Sequence, residues 1–231
     1  MRTHVDPLPS CAMAASQLIA VISELPWART TPQLRHGDVL FRQGDLLDTI
    51  AVPLNGLLAL RSSHRDRRAT LMLLRRGTFV DDSPLTGPSR ARFDAVAVTD
   101  STVLSVPAAD LWHRLAESPR FTYLWLTVTA CRFAEYQRRL SDLLAGDIRS
   151  RVASLVLHET GEDSSTALTH QMMADLLGVQ RSSVSRALAD LERRGTLSCG
   201  YAHLRVRDRR ALERAALGYA TCPSSPLRSA S

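Results

Sequence analysis

Residues 168–197 read LTHQMMADLLGVQRSSVSRALADLERRGTL. Apolar side chains recur at helical spacing over 171–177, Gly178 is the residue type that enters a left-handed turn without steric cost, and the helical period resumes over 181–194. The stretch predicts helix, tight turn, helix. Its second helix buries Val184, Ala187, Leu188 and Leu191 and leaves Arg181, Ser182, Ser185, Arg186, Ala189 and Arg193 on the opposite side. Such a face of small and cationic residues suits the major groove of DNA. The groove admits one α-helix, small side chains permit close approach, and arginine binds guanine through two parallel hydrogen bonds. Arg181 and Arg186 are the expected base readers. Arg193 and Arg194 lie in the last turn, where they serve either the helix dipole or a DNA phosphate, and both readings stay open.

Downstream, residues 197–199 and 203–206 read as two short strands around a Gly200 turn, with Arg205, Arg207, Arg209 and Arg210 on the resulting wing. The pattern is a winged helix-turn-helix. Between Arg181 and Arg214 nine arginines face Asp190, Glu192, Asp208 and Glu213, a local excess that calls for an anionic partner. Residues 219–231 read as a frayed tail.

Upstream, residues 146–159 form a helix with Ile148, Val152, Leu155 and Val156 on one face, and 161–166 a polar linker. Pro119 opens a longer helix that meets no breaker until Gly146. Within it Thr122, Leu126, Thr129, Phe133, Tyr136, Leu140 and Leu143 alternate steps of four and three, a heptad seam suited to a partner helix. Packing on the helix's own domain is the competing reading, because both threonines weaken the seam. From 34 to 106, short runs rich in Val, Leu and Thr are punctuated by Gly37, Gly44, Asn55-Gly56, Gly77 and Gly87, which predicts a compact antiparallel β unit. Within it GLLALRSS and ATLMLLRRG flank a polar tip at 64–68; the six arginines from Arg61 to Arg76 read as a solvated hairpin. Residues 12–25 and 107–115 read as short helices on either side.

The chain has 231 residues, 45% hydrophobic and 23% charged, enough for one or two compact domains and unlike a disordered or disulfide-stapled chain. All 29 basic residues are arginine, so position rather than abundance carries the argument. The longest uncharged run, residues 7–23, is too short and too polar to span a membrane. Asp6 interrupts the basic start of a signal peptide, and no small-x-small cleavage site follows, so the expected location is cytoplasmic. Cys11, Cys131, Cys199 and Cys222 are too scattered for a CxxC pair and too few for a disulfide scaffold, which fits a reducing compartment. Cys199 and His203 lack a second ligand pair, so no metal is expected, and no P-loop, GxSxG or HExxH motif suggests an enzyme.

Two stretches, in the right order, resemble the Crp-Fnr regulators. HGDVLFRQGDLLDTIAVPLNGLLAL is similar to that family's β-roll opening, through Gly37, Leu40, Phe41, Gln43, Gly44, Asp45, Asp48 and Gly56. Residues 168–197 are similar throughout to its DNA-binding motif. The resemblance implies an α+β chain: a β-roll of the cyclic-nucleotide-binding kind with flanking helices (1–118), a dimerisation helix (119–145) and a winged helix-turn-helix (146–218). It implies a homodimeric transcription regulator on a two-fold symmetric double-stranded DNA site, with RNA polymerase as a further partner. Thr169, Gln171, Arg181 and Arg186 match DNA-contacting positions; Gln180, Ser182, Ser185, Arg193 and Arg205 complete the expected interface. A module whose winged helix contacts protein instead is the alternative.

The departures concern the effector. Where cAMP-binding members carry Gly-Glu, this chain has Asp81-Asp82; where they carry Arg-Ser, it has Arg90 and Arg92 around Ala91; and the adenine-contacting Thr-Ser pair aligns with Tyr136-Gln137. Asp81 replaces a bare backbone and adds negative charge where an anion would sit. The expectation is a degenerate pocket that does not take cAMP and no certain cofactor, with another nucleotide or a cyclic dinucleotide left open. Relatives that hold an iron-sulfur cluster use four cysteine ligands, three of them grouped near the N-terminus, where this chain has Cys11 alone. Ser182 replaces a glutamate that accepts from cytosine in several relatives, so the operator differs from theirs.

Overall fold

A computed structural model describes residues 11–26, 29–30, 33–64, 67–160, 164–166, 168–200 and 203–217. Cys222 and the expected tail at 219–231 lie outside these residues, as do residues 161–163 of the expected linker. The described residues fall into two units that meet in sequence at Tyr136 and Gln137.

The first unit opens with α1 (Cys11–Ser23). Nine strands follow: β1 (Arg29–Thr30), β2 (Val39–Phe41), β3 (Leu46–Leu47), β4 (Thr49–Asn55), β5 (Leu58–His64), β6 (Arg67–Leu74), β7 (Ser89–Arg90), β8 (Asp94–Ala97) and β9 (Thr102–Pro107). Then come α2 (Ala108–Glu117) and α3 (Pro119–Ala145), whose last residues belong to the second unit. All pairings are antiparallel, in sheets ordered β1-β9-β4, β2-β8-β5-β6 and β3-β7. Alternation along β4 and β9 divides the interior. Ile50, Val52, Leu104 and Val106 join a cluster with α1 and α3, whereas Ala51 and Val103 point into the roll with Leu58, Leu60, Met72 and Leu74. The β4–β5 turn closes at Gly56, whose φ of +75° and tight approach to Asp100 O and Ser101 leave no room for a Cβ. The buried Ser101 hydroxyl accepts from Leu57 N at 3.1 Å.

Helix α1 buries Ala14, Leu18, Ile19 and Ile22, and α3 answers with Phe121, Leu124, Trp125 and Val128. That spacing of three, one and three is a core-facing stripe. The expectation of unpaired cysteines is corrected here, because Cys11 on α1 and Cys131 on α3 form a disulfide across 120 residues of sequence. The two threonines of the heptad seam serve the helix's own unit. Thr122 donates to the carbonyls of Leu115 and Ser118 (2.5 and 3.1 Å), and Thr129 Oγ1 is buried. The apolar seam positions are open to solvent in this single chain, with Leu126 60%, Phe133 61% and Leu140 58% exposed, alongside exposed Tyr136 and Leu143.

The second unit comprises α4 (Ile148–Glu159), β10 (Ser165–Thr166), α5 (His170–Leu177), α6 (Arg181–Arg193), β11 (Leu197–Gly200), β12 (His203–Val206) and α7 (Arg209–Ala216). Helix α4 packs on α5, α6 and α7, and the strands form a sheet ordered β10-β12-β11. Asp147 caps α4 by accepting from Ser150 N at 2.8 Å. That hydrogen bond, against a cost of burial, and with help from the Ser150 hydroxyl and the Arg149 charge, holds the Asp147 carboxyl below its ordinary value. Two expectations are corrected. The linker contains β10, which pairs Ser165 with Arg205 on β12. Arg209 and Arg210 begin α7 rather than extending the wing; Asp208 caps that helix through Ala211 N at 2.9 Å, and Arg209 pairs with Glu213 at 3.3 Å.

Candidate nucleic-acid interface

Helix α5 begins at Thr169, whose side chain caps it by accepting from Met172 N at 3.2 Å. It ends at Gly178 in the left-handed conformation, φ +63° and ψ 35°, so the chain turns at once into α6. Val184, Ala187, Leu188 and Leu191 of α6 are buried, which fixes its rotation and presents Arg181, Ser182, Arg186 and Ala189 to solvent. Among the described residues neither Arg181 nor Arg186 meets a carboxylate; Arg186 Nη2 reaches only Ser183 Oγ, at 3.5 Å. Arg205 is exposed at the middle of β12. Ser185 is half-buried, and its hydroxyl lies 2.9 Å from His170 Nδ1.

Thr169, Gln171 and Arg181 line one groove of about 480 Å³ together with His170, Gly200 and His203. Gln171 holds its amide to Asp175 Oδ1 at 2.8 Å. Gln180 precedes α6 without capping it. At the other end of α6, Asp190 gathers Arg193 (3.0 Å), Arg194 (2.9 Å) and Arg149 (3.6 Å). Burial opposes its charge, yet the hydrogen bond from Arg194 and these nearby cations outweigh it and hold the carboxyl below its ordinary value. Arg193 is thus engaged within the helix end and stands apart from Arg181 and Arg186. Sequence reading missed His170 and His203, because isolated histidines carry no periodic signal. Cys199 lies on the strand beside His203, but burial and the Glu192 carboxylate push its thiol up to about 11, so it stays protonated. Among the described residues no group of three His, Cys, Asp or Glu is placed to hold a metal.

A second cavity, about 240 Å³, lies in the first unit between Val80, Asp81, Asp82, Phe93 and the α3 residues Thr129, Arg132, Phe133 and Tyr136. It brings together Asp81, Asp82 and Tyr136 of the expected effector residues and leaves out Arg90, Arg92 and Gln137. Several polar groups here have internal partners, whereas Asp81 Oδ2, Thr129 Oγ1 and Arg132 Nε are buried with no hydrogen-bond partner among the described residues. Asp82 pairs with Arg132 at 3.2 Å. Asp81 Oδ1 accepts from Ser83 N at 2.9 Å, and the Ser83 and Ser89 hydroxyls meet at 2.7 Å. Arg90 donates to Gly44 O at 2.8 Å. Arg132 was missed in the sequence because a stripe read for apolar residues passes over an arginine inside it. Its guanidinium lies over Phe79 at 5.2 Å and bonds the Tyr136 hydroxyl at 3.4 Å. Phe79 in turn stacks on Trp125 at 3.8 Å.

Comparison with known proteins agrees with both halves of this description. Residues 32–118 match the model of the cyclic nucleotide-binding domain, and residues 150–215 that of the Crp-like helix-turn-helix domain. The chain is 28% identical over 191 residues to the HTH-type transcriptional regulator Cmr of Mycobacterium tuberculosis, covering 83% of this chain and 78% of that one. It is 28% identical over 188 residues to the cyclic AMP receptor protein of Thermus thermophilus, covering 80% and 87%. In structure it is similar to FixK2 from Bradyrhizobium japonicum, with a TM-score of 0.71 at 21% identity, over 81% of this chain and 96% of the other. The first of these relatives is named as a transcriptional regulator. Among the described residues no helix is long and apolar enough to cross a membrane.

Proposed function

Because the chain belongs to the Crp-Fnr family of transcription regulators, with a helix-turn-helix of the kind that binds DNA, we propose that it acts as a homodimer on a two-fold symmetric DNA site and does so without cAMP. The observation that carries the DNA reading is the face of α6, where Arg181 and Arg186 stand exposed and meet no carboxylate among the described residues. Arg181 and Arg186 read base edges, Ser182 and Ser185 allow close approach, and Thr169, Gln171, Gln180 and Arg205 follow the phosphates. Arg193 contributes through charge alone, since Asp190 holds its guanidinium. Leu126, Phe133, Tyr136, Leu140 and Leu143 form the seam with a second copy, which sets the half-sites about 34 Å apart. Bound at such a site, the dimer is positioned to meet RNA polymerase. Titrating labelled duplex with the protein at rising salt tests the reading. Affinity falls by about 0.9 log unit per phosphate contact per tenfold salt for a DNA binder, whereas a winged helix that serves a protein partner shows no specific duplex binding.

The degenerate pocket is supported by the pairing of Asp82 with Arg132 and of Arg90 with Gly44 O. A cyclic phosphate entering the cassette must displace Arg132 from Asp82 and Arg90 from Gly44 O while approaching two carboxylates, and these costs oppose binding. Calorimetry with cAMP is expected to show no binding in the micromolar range. A dissociation constant near one micromolar, about −8 kcal/mol, contradicts the proposal. Parallel titrations with cGMP and cyclic dinucleotides test the other nucleotides.

A further inference from the structure

A serine hydroxyl holds one proton and two lone pairs, so by itself it serves a donor or an acceptor on a base edge equally well and selects neither. Ser185 on α6 is not by itself. Its Oγ lies 2.9 Å from Nδ1 of His170, the first residue of α5, fifteen positions away in sequence. Among the described residues neither Ser182 nor Ser183 has a hydrogen bond to a ring nitrogen; Ser182 is exposed and Ser183 meets Arg186. An imidazole nitrogen is a donor or an acceptor according to where the ring proton sits. If Nδ1 lacks the proton, it accepts the only proton of Ser185, and the hydroxyl presents lone pairs to DNA. If Nδ1 carries the proton, it donates to Ser185, and the hydroxyl proton turns outward.

We propose that His170 is a specificity-determining residue that sets the hydrogen-bond polarity of Ser185, and through it the base accepted at one position of each half-site. The inference rests on α6 being the DNA-reading helix. The groove beside His170 decides which polarity applies. Among the described residues it is lined by Thr169, Gln171, Arg181 and His203 and by no carboxylate, and the Arg181 charge makes a DNA phosphate the acceptor that this groove draws in. A phosphate that accepts a hydrogen bond from Nε2–H holds the ring proton there and leaves Nδ1 as an acceptor, because a neutral imidazole carries one proton. Ser185 then donates inward to Nδ1 and offers only lone pairs outward. Its partner is a base with an exocyclic amine in the major groove, adenine through N6 or cytosine through N4.

The test measures binding of the full chain to its selected duplex with all four base pairs placed in turn at each position, for the unaltered protein, Ser185→Ala, His170→Ala, His170→Asn and the double alanine variant. The unaltered protein is expected to prefer adenine or cytosine at one position per half-site. Ser185→Ala lowers that preference by about two- to tenfold, the span of one hydrogen bond. His170→Ala lowers it at the same position, His170→Asn retains it with its amide oxygen accepting from Ser185 where Nδ1 accepted, and the double variant loses no more than Ser185→Ala alone. Guanine or thymine preferred at the position that Ser185→Ala affects overturns the proposal without any His170 variant. So does a His170→Ala that weakens all four bases alike with the preference intact. If Ser185→Ala changes no preference while the site is still bound, Ser185 does not read a base and the inference fails, although α6 remains the reading helix. If no duplex is bound at all, that underlying reading fails as well.

Discussion

Arg186 and Arg205 are both exposed arginines that meet no carboxylate among the described residues, yet they stand on surfaces of different use. Arg186 projects from the exposed face of α6, and Arg205 from the middle strand of the wing sheet. Arg186→Ala is therefore expected to cost about 1–3 kcal/mol on the preferred site and to relax the choice at one base position per half-site. Arg205→Ala is expected to weaken specific and random duplex alike. Equal losses on both duplexes for Arg186→Ala reassign it to a phosphate. At this scale the DNA face was legible in the sequence, since the period of Val184, Ala187, Leu188 and Leu191 dictates by subtraction what remains outside. The engagement of Arg193 by Asp190, of Ser185 by His170 and of Asp82 by Arg132 was not. These pairs depend on rotamers and on neighbours up to 50 residues away, which periodicity does not encode.

Helix α3 divides its circumference between two tasks. Phe121, Leu124, Trp125 and Val128 fill the first unit's core, while Leu126, Phe133 and Leu140 remain open at seven-residue intervals. Phe133→Glu places a charge in the seam and is expected to give a monomer in light scattering at about 20–50 µM, where the unaltered chain is a dimer; an unaltered chain that is monomeric there contradicts the seam. Helix α4 permits a separate prediction. Asp147→Ala removes its cap and is expected to cost about 0.5–2 kcal/mol at neutral pH. Because the folded carboxyl titrates below its ordinary value of 3.8, this stabilisation is complete above that value and is lost as pH falls through and below it. Melts of the two proteins should thus differ at pH 7 and converge toward pH 3. A gap that persists at low pH argues that the loss is packing rather than the charged cap. Long periodic elements such as α3 and α6 were readable because many residues repeat one signal. The two-residue β10 has no period at all, and α7, RRALERAA, buries only Leu212 and so resembles solvated chain.

At the scale of the whole chain, a β-roll in which Asp82 is paired with Arg132 and Arg90 with Gly44 O precedes a helix-turn-helix whose Arg181 and Arg186 meet no carboxylate among the described residues. The Cys11–Cys131 bond is another feature of this scale, linking residues 120 apart that no local pattern associates. The central claim is that the chain binds a symmetric DNA site as a dimer in the absence of cAMP. The measurement that tests it most directly is selection of bound sequences from a random duplex pool, run in parallel with and without cAMP. The account predicts one inverted repeat, with half-site centres about 10 base pairs apart, enriched to the same degree in both arms. Enrichment that appears only with cAMP, or a bound pool without two-fold symmetry, would contradict it.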